Sequence, residues 1–195
     1  METDKRDKVF AQYIDQYLPV IERTLNELRL NQKNLIIPYA QFLFSIIDYF
    51  GLLFSVSQGQ YKKRDKINFN NFLGSTFFPS QDRCKNEFLW FIRNGVIHQI
   101  FPKGTGIGLS KVNCLFFLDN NNGNIITLNL AYLDSILMLA IESLIENLRT
   151  DDKALINLYE ILIINHYGFD DHKELAGVID SSFGGDMTRI LTNCS

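Results

Sequence analysis

The chain has 195 residues, 46% hydrophobic and 21% charged, with sixteen Phe and eight Tyr to fill a core. That composition argues against disorder across the whole chain and fits one large domain or, less comfortably, two small ones. A net charge of −3 gives the chain as a whole no nucleic-acid footprint.

The N-terminal METDKRDKVF is charged and lacks the apolar h-region of a secretory signal. Cys84, Cys114 and Cys194 are odd in number and widely spaced, which argues against a disulfide framework and a zinc site. A reducing cytoplasm is the expected compartment.

From Lys5 to Leu30, apolar residues recur at three-and-four spacing (Val9, Tyr13, Tyr17, Ile21, Leu25, Leu28), which predicts an amphipathic helix bent at Pro19. Leu35 to Val56 predicts a second, more deeply buried helix with Pro38 in its first turn. Leu35 to Phe54 is long enough to span a bilayer, but a central Asp48 would be costly there, so a core helix is expected and no membrane. Ser57 to Lys66 reads as a basic loop. INFNNFLGSTFFP reads as a short helix or irregular segment ending at Pro79.

Ser80 is the expected N-cap of a helix running through CKNEFLWFIRNGVIHQIF to Pro102. Gly104 to Ser110 reads as a Gly-rich loop. It lacks the GK[ST] ending of a phosphate loop and follows a helix, so no nucleotide fingerprint is present. Asn113 to Leu118 and Ile125 to Leu130 predict two strands of a hairpin across DNNNGN, within a segment of about 112–130. Ala131 to Arg149 predicts the clearest helix, and Asp151 to Asn165 one more. Gly, Asp and Ser accumulate after Tyr167, which predicts a loosely packed tail over about 167–195.

Charge is unevenly spread. From Tyr61 to Lys111, nine basic residues stand against three acidic ones, for +6. From Asp134 onward, eleven acids and four bases leave −7. The middle of the chain can face phosphates and the C-terminal part cannot. Tyr61 with Lys62, Lys63, Arg64 and Lys66 pairs an aromatic with positive charge, a combination suited to RNA. Solvated surface is the competing reading. His166, Asp170, Asp171 and His172 can each ligate metal, but their spacing fits no zinc pattern, so no metal site is expected. Ser110 and Cys114 have no suitably spaced base for covalent catalysis.

The motif helix contains Arg93-Asn94-Gly95-Val96-Ile97-His98. In an ideal helix Arg93 and His98 lie about 140° apart and about 7.5 Å along the axis. The long reach of Arg93, or a break at Gly95, could bring both to one cleft. His98 can exchange a proton near neutral pH. Arg93 can fork onto phosphate oxygens. Asn94 can donate to phosphate or fix the tautomer of His98. Asp48 is either a partner that holds Arg93 in place from behind or a polar residue at the rim of the core. The competing reading buries Arg93 and His98 against carbonyls, or against an acid such as Asp48 or Glu87.

Arg93, Asn94 and His98 resemble the Arg-polar-x3-His motif of HEPN domains. The resemblance covers the motif and the helix order over roughly residues 5–165. It implies an all-α bundle of about five main helices, with the hairpin inserted after the motif helix. The implied activity is metal-independent RNA cleavage with no cofactor, by a homodimer whose motifs share one cleft. Arg93, Asn94 and His98 would be catalytic, with Lys62, Lys63, Arg64, Lys66 and Lys103 binding RNA. Proteins of this type serve as toxins or antiphage effectors, with an antidote or regulatory protein as a further partner. The family also includes non-catalytic modules that dimerise and bind a partner protein or nucleotide.

Overall fold

A computed structural model describes residues 2–60, 65–99, 104–120, 123 and 125–164. The fold is mostly helical with one small sheet. Eight α-helices are described: α1 (Glu2–Tyr13), α2 (Leu18–Leu30), α3 (Ile36–Ser57), α4 (Asp65–Leu73), α5 (Ser80–Arg83), α6 (Asn86–Gln99), α7 (Leu130–Thr150) and α8 (Asp152–Leu158). A π-helical turn over Tyr159–Ile164 continues α8. Strands β1 (Gly106–Gly108), β2 (Phe116–Asp119) and β3 (Ile125–Asn129) lie between α6 and α7.

α3 is the hub. Its mean hydropathy and length would let it cross a membrane, yet half of its most apolar window is buried in the fold. Tyr39, Phe44, Phe50 and Leu53 are fully buried, and α2, α4, α6, α7 and α8 all pack against this helix. α4 comes closest. A Cβ on Gly51 would sit 2.9 Å from the Asn68 carbonyl oxygen, so only glycine lets the two backbones meet there.

Several expectations change. The helix from Lys5 to Leu30 is two helices. After Tyr13 the chain makes a tight turn, with Ile14, Asp15 and Leu18 N–H groups bonded back to Phe10 and Ile14 carbonyls. Pro19 then stands at the start of α2, where its missing N–H costs nothing, so it begins a helix instead of bending one. Ser80 is the first residue of α5, and extended Pro79 holds the N-cap position. The expected long helix from Ser80 is broken after Arg83, and α6 starts at Asn86.

The Gly-rich segment also supplies a strand. β1 pairs parallel to β3, and β2 pairs antiparallel to β3's other edge, giving the order β1-β3-β2. Glycine is required here too, because a Cβ on Gly106 would lie 2.5 Å from Thr127 Oγ1. The predicted hairpin is present as β2 and β3, but its first strand starts at Phe116, not Asn113. Asn129 is fully buried at the end of β3. Its amide donates to the Val112 and Cys114 carbonyls and its Oδ1 accepts from Ser110 N–H. These bonds occupy the backbone groups of 110–114 that would otherwise continue the strand.

The last predicted helices are close to their expected bounds. Asp151, in extended conformation, ends α7. Its Oδ1 accepts from Lys153 and Ala154 N–H at 3.0 Å, capping α8. The predicted tail over 167–195 lies outside the described residues.

Candidate active site

An aromatic column leads from the core to Arg93. Phe44 of α3 meets Phe69 of α4 with ring centroids 6.3 Å apart, and Phe69 meets Trp90 of α6 edge-on at 5.2 Å. The Arg93 guanidinium carbon lies 4.8 Å from the Trp90 ring centroid. A guanidinium is weakly hydrated and stacks favourably on an indole. Trp90 and Arg93 are three residues apart on one helix, so packing of the ring into the core also places the cation.

Asp48 sets the direction of that cation. Arg93 Nε and Nη2 both donate to Asp48 Oδ2, at 3.1 and 2.7 Å. Asp48 is therefore the partner of Arg93, not a solitary residue at the rim of the core. The pair is mostly buried, with side chains 12% exposed for Arg93 and 26% for Asp48. Both bonds fall on one oxygen. Among the described residues, Oδ1 of Asp48 is buried and has no hydrogen-bond donor. Burial pushes the Asp48 carboxyl above the usual carboxylate range, outweighing the guanidinium that pulls it down.

The remaining guanidinium nitrogen turns outward. Arg93 Nη1 donates to Asn94 Oδ1 at 3.2 Å and lies 3.3 Å from His98 Nε2. An arginine nitrogen has only hydrogens to offer, so this last contact is a hydrogen bond when Nε2 holds a lone pair. The imidazole proton then sits on Nδ1, which is inferred from the donor chemistry. His98 is exposed at the end of α6. The helix runs through Gly95 without a break, so the reach of Arg93 closes the distance. Gln41 of α3 donates to the Val96 carbonyl at 3.0 Å and ties the last turn of α6 to the hub.

Asn94 accepts from Arg93 through Oδ1, which leaves its amide hydrogens as the part that could donate to phosphate. Glu87, the other candidate partner of Arg93, instead pairs with Lys66 at 2.8 Å and accepts from Asn70 at 2.6 Å. Lys66 therefore joins α4 to α6, with its charge matched. Lys62, Lys63, Arg64 and Lys103 lie outside the described residues, as do His166, Asp170, Asp171 and His172. Among the described residues no group of three His, Cys, Asp or Glu side chains could hold a metal ion.

Sequence reasoning missed Trp90 and Gln41. Trp90 was findable from its three-residue spacing to Arg93, whereas nothing near Gln41 points to Val96. The arrangement places an exposed proton acceptor beside a fixed cation, which suits proton transfer next to a developing negative charge. Compared with protein-family models, curated proteins and solved structures, the chain matches none.

Proposed function

We propose that this protein is a metal-independent endoribonuclease of HEPN type, acting as a cytoplasmic homodimer in the manner of toxins and antiphage effectors. One observation carries the reading. Residues spaced as Arg-Asn-x3-His put Arg93 Nη1 3.3 Å from His98 Nε2 at the exposed end of α6.

RNA supplies its own nucleophile. The substrate would displace Arg93 Nη1 from the lone pair of His98 Nε2, which then takes the proton of a ribose 2′-hydroxyl, and that oxygen attacks the adjacent phosphorus. The bond from phosphorus to the 5′ oxygen breaks, and the leaving oxygen takes a proton from an imidazolium on the opposite side. The products are a 2′,3′-cyclic phosphate and a 5′-hydroxyl. One imidazole cannot stand on both sides of an in-line displacement, so a homodimer would supply the second. Arg93 would stabilise the charge growing on the non-bridging oxygens, with Asp48 and Trp90 holding it in place. Lys62, Lys63, Arg64 and Lys103 would add sequence-independent attraction for phosphates, whereas the charge of Lys66 is matched by Glu87.

The test is RNA cleavage in excess EDTA by wild type and His98→Ala, matched for folding and oligomeric state. Wild type should leave cyclic-phosphate ends, and His98→Ala should be slower by about 10²–10⁴-fold. Equal cleavage by both proteins refutes the role of His98.

A second reading also has a specific observation behind it. Arg93 is only 12% exposed and its charge is matched by Asp48, as in a structural ion pair. The protein would then be a non-catalytic dimerisation module that binds a partner protein or nucleotide. Absence of cleavage by either protein across varied RNAs favours this reading.

A further inference from the structure

A cavity of about 320 Å³ lies between α7 and the chain that leads into α5. Small-molecule sites occupy about 300–1,000 Å³, so this one is large enough for a small ligand. Phe77, Phe78 and Pro79 line one side of it, and Ile136 and Leu139 the other. The aromatic side is braced from behind. Phe77 meets Phe54 edge-on with ring centroids 5.8 Å apart, and Phe78 meets Phe72 edge-on at 5.1 Å. Ile136 and Leu139 are three residues apart on α7 and share a face. Ile136 is buried, whereas Leu139 is 61% exposed.

Arg83 is the charged group in this apolar lining. Its Nε donates to the Phe78 carbonyl at 2.8 Å and its Nη2 to the Thr76 carbonyl at 3.2 Å. A guanidinium has five N–H donors, so these two bonds leave the hydrogens of Nη1 and one of Nη2 to spare. Among the described residues no carboxylate pairs with Arg83. The adjacent Asp82 is already taken, by Lys85 at 2.8 Å and the Tyr132 hydroxyl at 2.9 Å.

We propose that this cavity binds a small organic carboxylate, its head forked by Arg83 and its aryl or alkyl body held between the Phe77–Phe78 wall and α7. A planar carboxylate matches the paired hydrogens at the end of a guanidinium and supplies the negative charge that Arg83 lacks. The body covers Leu139 and removes apolar surface from water. None of these residues belongs to the Arg93–His98 cluster, so the site is independent of the ribonuclease reading. A second copy of this chain is the rival occupant. It suits the cavity less, because a symmetric contact on this patch brings two unmatched Arg83 side chains into one interface.

The experiment titrates the full chain, labelled at its Ile and Leu methyl groups, with phenylacetate, phenylbutyrate and octanoate. At least one acid should shift the Ile136 and Leu139 signals saturably. Its neutral amide counterpart should bind at least about tenfold more weakly, since it makes no charge-assisted bond to Arg83. Inorganic phosphate, which has no apolar body, should leave both signals in place. Arg83→Gln should lose as much affinity for the acid as the amide does. Leu139→Glu changes an exposed position and keeps the Arg83 bonds to the chain, so it should lose binding, read at Ile136, with an unchanged urea midpoint.

An amide that binds as tightly as its acid, or full binding by Leu139→Glu, overturns the site. So does phosphate that moves the same signals as strongly, which would mark a plain anion site, or the absence of a saturable shift with all three acids. A parent dimer that becomes monomeric in Leu139→Glu assigns this face to a protein interface and also overturns it.

Discussion

Near the start of α3, Tyr39 and Arg29 close around Asp134; toward its middle, Asp48 faces Arg93. The first cluster is saturated. Arg29 forks onto both oxygens of Asp134 at 2.6 and 2.7 Å, and the Tyr39 hydroxyl also donates to Oδ2. Asp134 is 4% exposed and joins α2, α3 and α7. The second cluster is not saturated. Arg93 places two bonds on one oxygen, leaves Asp48 Oδ1 without a donor, and turns its third nitrogen to Asn94 and His98. A buried carboxylate with donors on both oxygens, as Asp134 is, has no acceptor left for another molecule. An unsaturated pair keeps directed hydrogen-bonding capacity at the cost of stability. The same pair of residue types thus acts as a lock in one place and, on the function proposed above, as a poised site in the other.

The comparison can be broken most sharply at the lock. Asp134→Ala removes the acceptor of the buried Tyr39 hydroxyl and of Arg29, whose side chain is 39% exposed and can turn to water, so urea unfolding should show a loss of about 1–3 kcal/mol. Cleavage per folded molecule should be unchanged; a selective loss of activity would mean that this cluster also serves the site. Tyr39→Phe removes one donor and should cost about 1 kcal/mol.

Tyr39 also has a pH signature. Burial, reinforced by Asp134, holds its hydroxyl above the usual phenol range. In the unfolded chain the phenol ionises near pH 10, so its contribution is intact below that pH and declines above it. Unfolding followed up the alkaline limb should therefore fall less steeply in Tyr39→Phe than in wild type.

Asp48→Asn should shift stability by about 1 kcal/mol at neutral pH, because an amide oxygen can still accept from Arg93. The Asp48 pKa is raised by burial, so its ionisation works against the fold. Its contribution is most favourable below about pH 4 and is lost as pH rises through the raised value. The stability of Asp48→Asn relative to wild type should therefore improve over that interval. Cleavage should still fall by about tenfold, because Arg93 loses part of its anchor. A loss of several kcal/mol with full activity would make this pair a second lock.

Much of the site was legible one residue at a time. Arg93, Asn94 and His98 stood out by spacing, and Asp48 by being an acid inside an apolar run. Their joint geometry was not legible. Ideal helix geometry leaves Arg93 and His98 about 140° apart, and only the direction in which Arg93 extends closes that gap. Tyr39 and Asp134 looked like ordinary members of apolar helices, so the saturated cluster went unseen. The break after Arg83 was missed because the apolar pattern on either side reads as one helix.

Apolar periodicity in the sequence was enough to determine the mostly helical character, the central place of α3 and the long α7. That signal is local, since it reports which face of an element seeks the core. Turn chemistry was enough to determine the hairpin of β2 and β3. Tertiary structure alone decided which ions meet. Asp48 and Arg93 are 45 residues apart, and Arg29 and Asp134 are 105 apart. Such partners are chosen by which helix faces pack together, and no periodicity within one helix encodes that choice. The parallel pairing of β1 was likewise decided at this level, where Gly106 lets the backbone pass close to Thr127.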